Sequence, residues 1–587
     1  MSALKRWAGP VFAILALVVP FLELPDYWVS LLDYIGIASL VTLGLVLLTG
    51  VGGMTSFGQA AFVGFGAYTS AVLSINWGIS PWLTLPAALI VTGLAALLIG
   101  AVTVRLSGHY VPLGTIAWGI AFFYLFGNTS WLGAHDGLSG IAPVRIGTHA
   151  LIDPREYFVL VWLAVVLAMI ATRNLLDSRI GRSIRVLRRG TLVARTFGID
   201  AARMKLLVFV YAAVLAGLAG WLYAHLQRSV SPGAFGLAAG SEYLLMAVAG
   251  GAGRLWGALL GAAGITVLRD QLQNIMPLIV GTTGNYETIV FGAILVIILQ
   301  LAPNGLWPLI GGPPAPPKLP QTDGPALTPR EEPAPGSALL DVRAMRKVFG
   351  GLVAVDSVSF STTSGRILGL IGPNGAGKST TFNLLTGVIP YDSGTVMFRG
   401  AALPRIDLRT IAERGIARTF QHVKLVETMS VIENVALGAH VRGRAGVVRA
   451  ILRLDRAEEA TMFAEARKQL ARVGLEQFAL APAGSLALGQ LRLVEIARAL
   501  CADPVLLLLD EPAAGLRVVE KKALARLLRD LRASGVTVLL VEHDMDFVMS
   551  IADDLVVLDF GVKISEGKPD AVRQDPKVLE AYLGGVA

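Results

Sequence analysis

The chain has 587 residues, 54% hydrophobic and 16% charged, with a formal net charge of +8. Soluble proteins carry about 25% charged residues, so the chain as a whole is not an ordinary soluble protein. The deficit is uneven: residues 11–310 read as apolar runs with few charges, and from Leu339 onward the chain reads as a soluble α/β protein. That contrast implies two domains. Many of the arginines lie in one stretch between apolar spans, the pattern of a cytoplasmic membrane loop, and no aromatic-interleaved basic groove argues for nucleic acid. The single Cys501 excludes an intrachain disulfide and reads as buried filler.

Lys5 and Arg6 precede an apolar run that resembles a signal sequence. No clean small-residue cleavage site follows and many spans come after it, so an uncleaved first helix with its N-terminus inside is expected. Judged against about 20 apolar residues per span, candidate spans lie near 10–28, 33–51, 56–75, 82–104, 110–127, 156–172, 205–227, 236–252, 255–270 and 286–302. Between the sixth and seventh, the segment 173–205 carries Arg173, Arg179, Arg182, Arg185, Arg188, Arg189, Arg195, Arg203 and Lys205 against Asp177 and Asp200, which places it inside. Reading 236–270 as two short spans broken at 250–253 returns the second half of the chain to the same side and gives ten spans; eight is the alternative. The loop 128–155 then lies outside. Gly253, Gly257 and Gly261 recur every fourth residue, a spacing that lets helices approach closely in lipid. The run GVGGMTSFGQAAFVGFGAY at 50–68 reads the same way, or as broken backbone lining a cavity. Glu242, Arg254 and Glu287 fall near span ends and read as interface or loop residues.

Residues 311–337 are rich in proline and poor in apolar side chains, so they read as a partly extended linker. The expected domains are therefore 1–310, in the membrane, the linker 311–337, and 338–587.

The string GPNGAGKST at 372–380 fits G-x-x-x-x-G-K-[ST]. In such a loop Gly372, Asn374, Gly375, Ala376 and Gly377 turn backbone N–H groups onto nucleotide phosphates at a helix N-terminus, with Pro373, which has no N–H, shaping the turn. Lys378 reaches the β/γ-phosphates and Ser379, beside Thr380, holds Mg²⁺. Further elements follow in order: RTFQ with Gln421, LALGQ at 486–490, LLLLDEP at 506–512, and VEHD with His543. Together they resemble an ABC transporter ATPase. The implied fold is a polytopic α-helical membrane domain followed by an α/β P-loop NTPase domain with a helical subdomain. By that resemblance Asp510 holds Mg²⁺ opposite Ser379 and Glu511 polarises the attacking water. Gln421 contacts Mg²⁺ and water, His543 bonds the γ-phosphate, and Phe349 stacks on adenine. The signature Ala487, Leu488, Gly489 and Gln490 would face ATP bound to a partner subunit. Two departures stand out. Ala487 occupies the place of the signature serine, and losing that bond costs about 1.5–3 kcal/mol. Arg517 occupies the place of the D-loop aspartate.

The wording FGGLVAVDSVSF, GIARTFQ and VIENVALG resembles the ATPase of the high-affinity branched-chain amino acid importers. SFGQAAFVGFGAY, GAHDGLSGI and AGGAGRLWGALLGA resemble the same family's permease. Usually these are separate polypeptides; here they read as fused. The resemblance implies that 178–200 is a coupling helix docking on the ATPase near the Q-loop, with Ile180, Ile184 and Leu187 on one face and Arg188 and Arg189 beside them. It also implies a second permease and a second ATPase subunit, or a homodimer, a periplasmic substrate-binding protein, and a bacterial inner membrane. Import of urea, short amides or aromatic acids is the alternative within the family. An exporter half-transporter fits the short, glycine-broken spans poorly, and a non-hydrolysing subunit fits the intact Lys378, Asp510, Glu511 and His543 poorly.

Overall fold

The computed structural model describes residues 24–106, 108, 110–280, 286–311, 322 and 324–583. The span expected near 10–28 lies mostly outside them, as do Lys5, Arg6 and the side chain of Glu287. The chain falls into two compact units, Met1–Asp177 with Ala202–Ala315, and Ser178–Ala201 with Pro316–Ala587. The basic segment expected to couple the halves thus groups with the second unit.

The first unit is helical. α1 (Asp26–Leu45) runs into a π-helical turn at Val46–Val51 and is followed by α2 (Gln59–Trp77), α3 (Pro81–Thr103), α4 (Tyr110–Asn128) and α5 (Pro154–Leu176). The chain then leaves this unit as α6 (Arg179–Leu187) and α7 (Thr191–Thr196). It returns as α8 (Ala201–Gln227), α9 (Leu237–Gly251), α10 (Leu255–Val280), α11 (Tyr286–Leu301) and the short α12 (Trp307–Gly311). Among the described residues, six helical stretches are long and apolar enough to cross a membrane: Asp26–Val51, Pro81–Thr103, Tyr110–Asn128, Pro154–Leu176, Ala201–Gln227 and Pro232–Gly251. Their apolar residues go all round the helix. α1 is packed inside, whereas α3 leaves Leu83, Leu94, Leu98 and Val102 exposed, as a helix bounded by lipid does.

Close packing in this unit relies on missing side chains. A Cβ on Gly66 would lie 2.1 Å from Gly217 O and one on Gly220 would lie 2.0 Å from Val63 O, so α2 and α8 touch backbone to backbone. The pair α9 and α10 is separated at 252–254 and folds back on itself. Gly250 meets Gly257 O at 1.9 Å and Gly261 meets Met246 O at 1.9 Å, by the same measure. The fourfold glycine spacing read from the sequence therefore serves helix contact.

The second unit carries two sheets. β1 (Ala338–Phe349) and β2 (Leu352–Thr363) form a long hairpin, and β4 (Ser393–Phe398) pairs with the other edge of β1. The larger sheet contains β3 (Ile367–Ile371), β5 (Ile416–Arg418), β6 (Leu506–Asp510), β7 (Thr537–Val541), β8 (Asp554–Asp559) and β9 (Val562–Gly567) in the order β5-β6-β7-β3-β8-β9. All neighbours are parallel except β8 and β9. The strands β3, β6 and β7 are buried throughout, which is why they read as unbroken apolar runs. Their register aligns Leu370, Val541 and Asp510 across the sheet. The loops after β3, β6 and β7 consequently leave from one edge, the place where parallel sheets bind ligands.

The expected linker is not a free tether over its described part. Arg330 N donates to Asp503 Oδ2 at 2.5 Å, its Nη1 donates to Glu413 O at 2.5 Å, and Arg442 Nη2 donates to Thr328 O at 3.0 Å. Leu327 packs against the second unit's core. Few apolar residues suffice here because polar bonds to a ready-made surface hold the strand down.

Gly261→Val is expected to lower the melting temperature of the purified chain sharply, by overpacking against Met246 O. Gly264→Ala, where an added Cβ meets nothing within 4 Å, is expected to leave it unchanged. Thermal unfolding in detergent would compare them.

Candidate functional site

The loop 372–377 leaves the end of β3 and turns into α13 (Lys378–Leu385). Gly377 has φ +93° and Gly375 φ +85°, and a Cβ on Gly372 would lie 2.0 Å from Leu558 O; only glycine suits these positions. Lys378 is buried, with Nζ donating to Gly372 O at 2.8 Å and Pro373 O at 2.7 Å. Its ammonium is thus folded over the loop, and burial lowers its pKa. Phe349 ends β1 with its ring 42% exposed and Lys347 Nζ 5.3 Å from its centroid.

Glu511 follows the end of β6 with φ +49°, a left-handed conformation that costs a non-glycine residue energy. Its N–H donates to Val541 O at 2.9 Å. Its Oε1 accepts from Gln421 Nε2 at 3.1 Å and lies 2.6 Å from His543 Nε2. Three residues from three loops thus meet at one carboxylate oxygen. A carboxylate so oriented can take a proton from water.

Asp510 Oδ1 is buried without a hydrogen-bond partner, an oxygen suited to a hard cation. Burial raises the pKa of Asp510 and Arg418 opposes this. Among the described residues no three His, Cys, Asp or Glu side chains cluster. The protein offers no cage of its own, as is usual where phosphates and water complete a Mg²⁺ shell.

Several functional neighbours were not apparent from sequence. Arg418 is buried between the two nucleotide motifs: Nη1 donates to Asn383 Oδ1 on α13 at 3.0 Å and to Thr386 Oγ1 at the C-cap of α13 at 2.8 Å, and Nη2 lies 3.6 Å from Asp510 Oδ2. Glu542 is buried and accepts from Ala513 N at 2.5 Å and His543 N at 3.1 Å. Arg492, on the signature helix, donates to Phe420 O at 2.9 Å and Gln421 O at 2.5 Å. Arg418 and Glu542 sit inside motifs already noticed and Arg492 just beyond one, but a charged residue there looks the same whether it faces solvent or a neighbour.

The signature lies apart from the loop. Among the described residues no hydrogen bond or ion pair joins 486–490 to 372–380. Ala487 caps the signature helix, and its N–H donates to Gln490 Oε1 at 3.0 Å. Its methyl group cannot supply the reciprocal cap a serine would. Gly489 lies against Glu520, whose Oε1 would be 2.7 Å from an added Cβ. Arg517 is exposed, and its N–H donates to Glu520 Oε2 at 2.8 Å.

The segment 178–201 lies on α14 (Val431–Ala436), the turn 437–442 and α15 (Arg456–Arg472). Ser178 caps α6, and Ile180, Ile184 and Leu187 are buried, as the helical face required. The arginines around this face are not equivalent. Arg188 and Arg189 are exposed, with Arg189 paired to Glu427 at 2.5 Å on the rim. The deep pair is Arg182 with Glu459, at 2.6 Å and with side chains 2% and 10% exposed. Arg182 also covers the Phe463 ring, and Arg185 reaches Glu433 at 3.0 Å. Which arginine goes inward depends on the carboxylates of α15, far along the chain. His440 Nδ1 lies 2.9 Å from Ser183 Oγ, and burial, then Arg179, Arg182 and Arg409, hold its pKa well below the usual imidazole value.

A glycine loop at a helix N-terminus with a carboxylate on a strained backbone beside it, both at one edge of a largely parallel sheet, is the arrangement of an ATP-binding cassette. The family described as "Branched-chain amino acid transport system / permease component" matches residues 27–299, "ABC transporter" matches 355–514, and "Branched-chain amino acid ATP-binding cassette transporter" matches 562–587. The high-affinity branched-chain amino acid transport ATP-binding protein LivG of Escherichia coli (strain K12) is 41% identical over 42% of this chain and 98% of its own length. BraF of Pseudomonas aeruginosa, of the same description, is 39% identical over the same shares. A crystal structure of a nucleotide-free ATP-binding cassette from an ABC transporter is 34% identical, over 42% of this chain and all of that one, with a TM-score of 0.39. The chain belongs to the branched-chain amino acid ABC transporter family, with a permease component and an ATP-binding component in one polypeptide. It is a membrane protein that binds ATP and hydrolyses it for transport.

Arg182→Ala, which leaves the Glu459 carboxylate the Arg179 N–H but removes its counter-charge, is expected to cost the docking of 178–201 about 3–5 kcal/mol. Arg189→Ala is expected to cost at most about 1 kcal/mol. Hydrogen–deuterium exchange of 178–201 reads both. A pH dependence follows from His440. The folded state keeps it neutral, while an undocked imidazole binds a proton below about pH 6.5. Docking is therefore complete above that pH and weakens as pH falls. Protection of 178–201 is expected to drop between about pH 6.5 and 5, and His440→Gln is expected to flatten the drop.

Proposed function

We propose that this chain drives import of branched-chain amino acids across the bacterial inner membrane, supplying one permease and one ATPase to an assembly with two of each. The observation that carries this reading is a cassette and a permease of one transport family on a single chain, with the segment between two membrane helices seated on the cassette by Arg182 and Glu459. The named relatives are described as high-affinity branched-chain amino acid transport proteins, which supports the substrate class.

In this reading the glycine loop and Lys378 hold the phosphates of ATP, and the exposed Phe349 ring offers its face to the base. Ser379 and Asp510 hold Mg²⁺, which neutralises phosphate charge when bound. Glu511 accepts a proton from the attacking water. His543 and Gln421 fix its carboxylate, and the departing phosphate relaxes that grip. Ala487–Gln490 of each cassette faces the nucleotide of the other, so two cassettes close head to tail. A periplasmic binding protein delivers substrate. Ile184, Leu187, Arg188 and Arg189 lie on the segment that transmits closure, with Arg182 as its buried anchor.

The test is uptake of radiolabelled leucine, isoleucine and valine, with urea and benzoate alongside, in cells lacking this chain and complemented by wild type or Glu511→Gln. Wild type is expected to restore amino acid uptake and Glu511→Gln to fall by at least about 100-fold. Uptake of urea or benzoate alone would replace the cargo. Uptake supported equally by Glu511→Gln would remove the ATP-driven mechanism. Ala487→Ser is expected to raise the ATPase rate of the assembled complex.

A further inference from the structure

Between the π-helical turn at Val46–Val51 and α2, residues 52–58 run as irregular backbone inside the helical unit. Gly52, Met54, Ser56 and Gly58 are buried there. Gly58 lies against Thr115 O, and a Cβ on Gly240 would lie 2.1 Å from Phe57 O, so α4 and α9 both close over the segment. Irregular backbone among membrane helices is tolerated where it lines a cavity or is buried in protein. Here it does both. A partly open cavity of about 220 Å³, counting the space at its mouth, is lined by Ser56, Gly58, Phe62, Ile99, Trp118 and Phe122 among others.

Its polar end and its apolar wall differ in kind. Ser56 is 1% exposed and lines the cavity, and its Oγ has no hydrogen-bond partner. Gln59 opens α2, is fully buried, and neither atom of its amide has a partner. Thr115 Oγ1, by contrast, is committed, accepting from Phe57 N at 3.2 Å and donating to Pro112 O at 2.8 Å. Apart from Ala61 N, which donates to Gly58 O at 3.2 Å, the first N–H groups of α2, a 19-residue helix, lack intrahelical acceptors and carry the positive end of its dipole. The wall is aromatic and aliphatic, with Trp118 and Phe122 stacked at 5.8 Å. No Lys, Arg, Asp or Glu lines the cavity. Buried polar groups are costly to leave unsatisfied, and a stripped carboxylate at a helix N-terminus within a membrane protein is a fitting partner for them. Multiply charged anions find no counter-charge, and a small uncharged polar solute has no use for the wall.

We propose that the N-terminus of α2, with Ser56, receives the carboxylate of a hydrophobic amino acid whose side chain lies against Phe62, Ile99 and Trp118. This rests on the import reading above and places its substrate in the permease. The enclosed part of the cavity has room for roughly one water, about one carboxylate oxygen. The whole ligand therefore enters when the ring side chains move apart.

The experiment uses the full chain with its assembled partners in lipid nanodiscs, without any binding protein, and measures binding of radiolabelled leucine by scintillation proximity. Leucinamide, which lacks the carboxylate, is expected to displace the label at least thirtyfold less well than leucine, and 4-methylpentanoate, which keeps it, to displace it within tenfold. Ser56→Ala is expected to weaken leucine binding at least tenfold. Trp118→Ala, at a half-exposed position that threatens the fold least, is expected to reduce the preference for leucine over alanine at least fivefold; thermal melts confirm that both variants fold. Equal displacement by leucinamide, or wild-type affinity and preference in both variants, overturns the site. A single water bound to Ser56 and indifferent to leucine would do the same. Wild type transporting amino acids in cells while both variants keep its KM sinks the site alone, whereas wild type that neither binds nor transports any amino acid sinks the import reading with it.

Discussion

Arg182 and Glu459 are both withdrawn from water, 2.6 Å apart, and each is the other's counter-charge, with the Arg179 N–H on the second oxygen of Glu459. A buried charge with no partner costs several kcal/mol, so this pair admits two states, made or broken, with little between. Everything around it is arranged to keep it made. Phe463 roofs the guanidinium, Arg179 donates to His440 O and Ala445 O at 2.7 Å each, and Arg185 and Arg189 hold the rim. Apolar burial of Ile180, Ile184 and Leu187 excludes the water that would weaken the pair. A joint of this kind transmits displacement rather than absorbing it, because cores and buried pairs are bistable rather than elastic.

The nucleotide edge obeys a related constraint. Glu511 is held in a strained conformation by a backbone bond to Val541 and by two side chains on its single Oε1. Strain persists only where the surroundings over-determine it, and here three loops leaving one sheet edge do so. Arg492 ties the signature helix to the backbone of Gln421, so a shift of that helix is felt at the carboxylate. The carboxylate and the signature helix are thus linked within one chain, although among the described residues no hydrogen bond joins 486–490 to the loop.

Much of this was legible in the sequence, for identifiable reasons. The loop 372–380, Asp510, Glu511 and His543 could be read because their spacing is dictated by a strand, a turn and a helix start, all local. The break between α9 and α10 announced itself through glycine at every fourth position. What could not be read was any pairing between distant segments. Arg182 and Arg189 are equally basic neighbours of an apolar face, and only the carboxylates of α15, nearly three hundred residues on, decide which goes inside. Arg418 opens the recognised RTFQ motif, yet its partners Asn383 and Thr386 carry no signature. Ser56 and Gln59 stood within a noticed glycine-rich run, and only burial without partners sets them apart. The proline-rich stretch misled in the opposite sense: its composition forbids a core of its own but says nothing about a surface to lie on.

That last feature bears on where one protein ends and another begins. Two genes joined by a spacer would be expected to leave the spacer indifferent to sequence. Here Arg330 fills a socket formed by Asp503 and the carbonyl of Glu413, Thr328 satisfies Arg442, and Leu327 covers apolar surface. A cassette excised at its first strand, residue 338, would carry away the socket without its plug, exposing acceptors and a greasy patch that the intact chain never shows to water. The edge of the cassette unit therefore lies upstream of Leu327, and the described proline-rich stretch from there on is a piece of the cassette rather than a spacer.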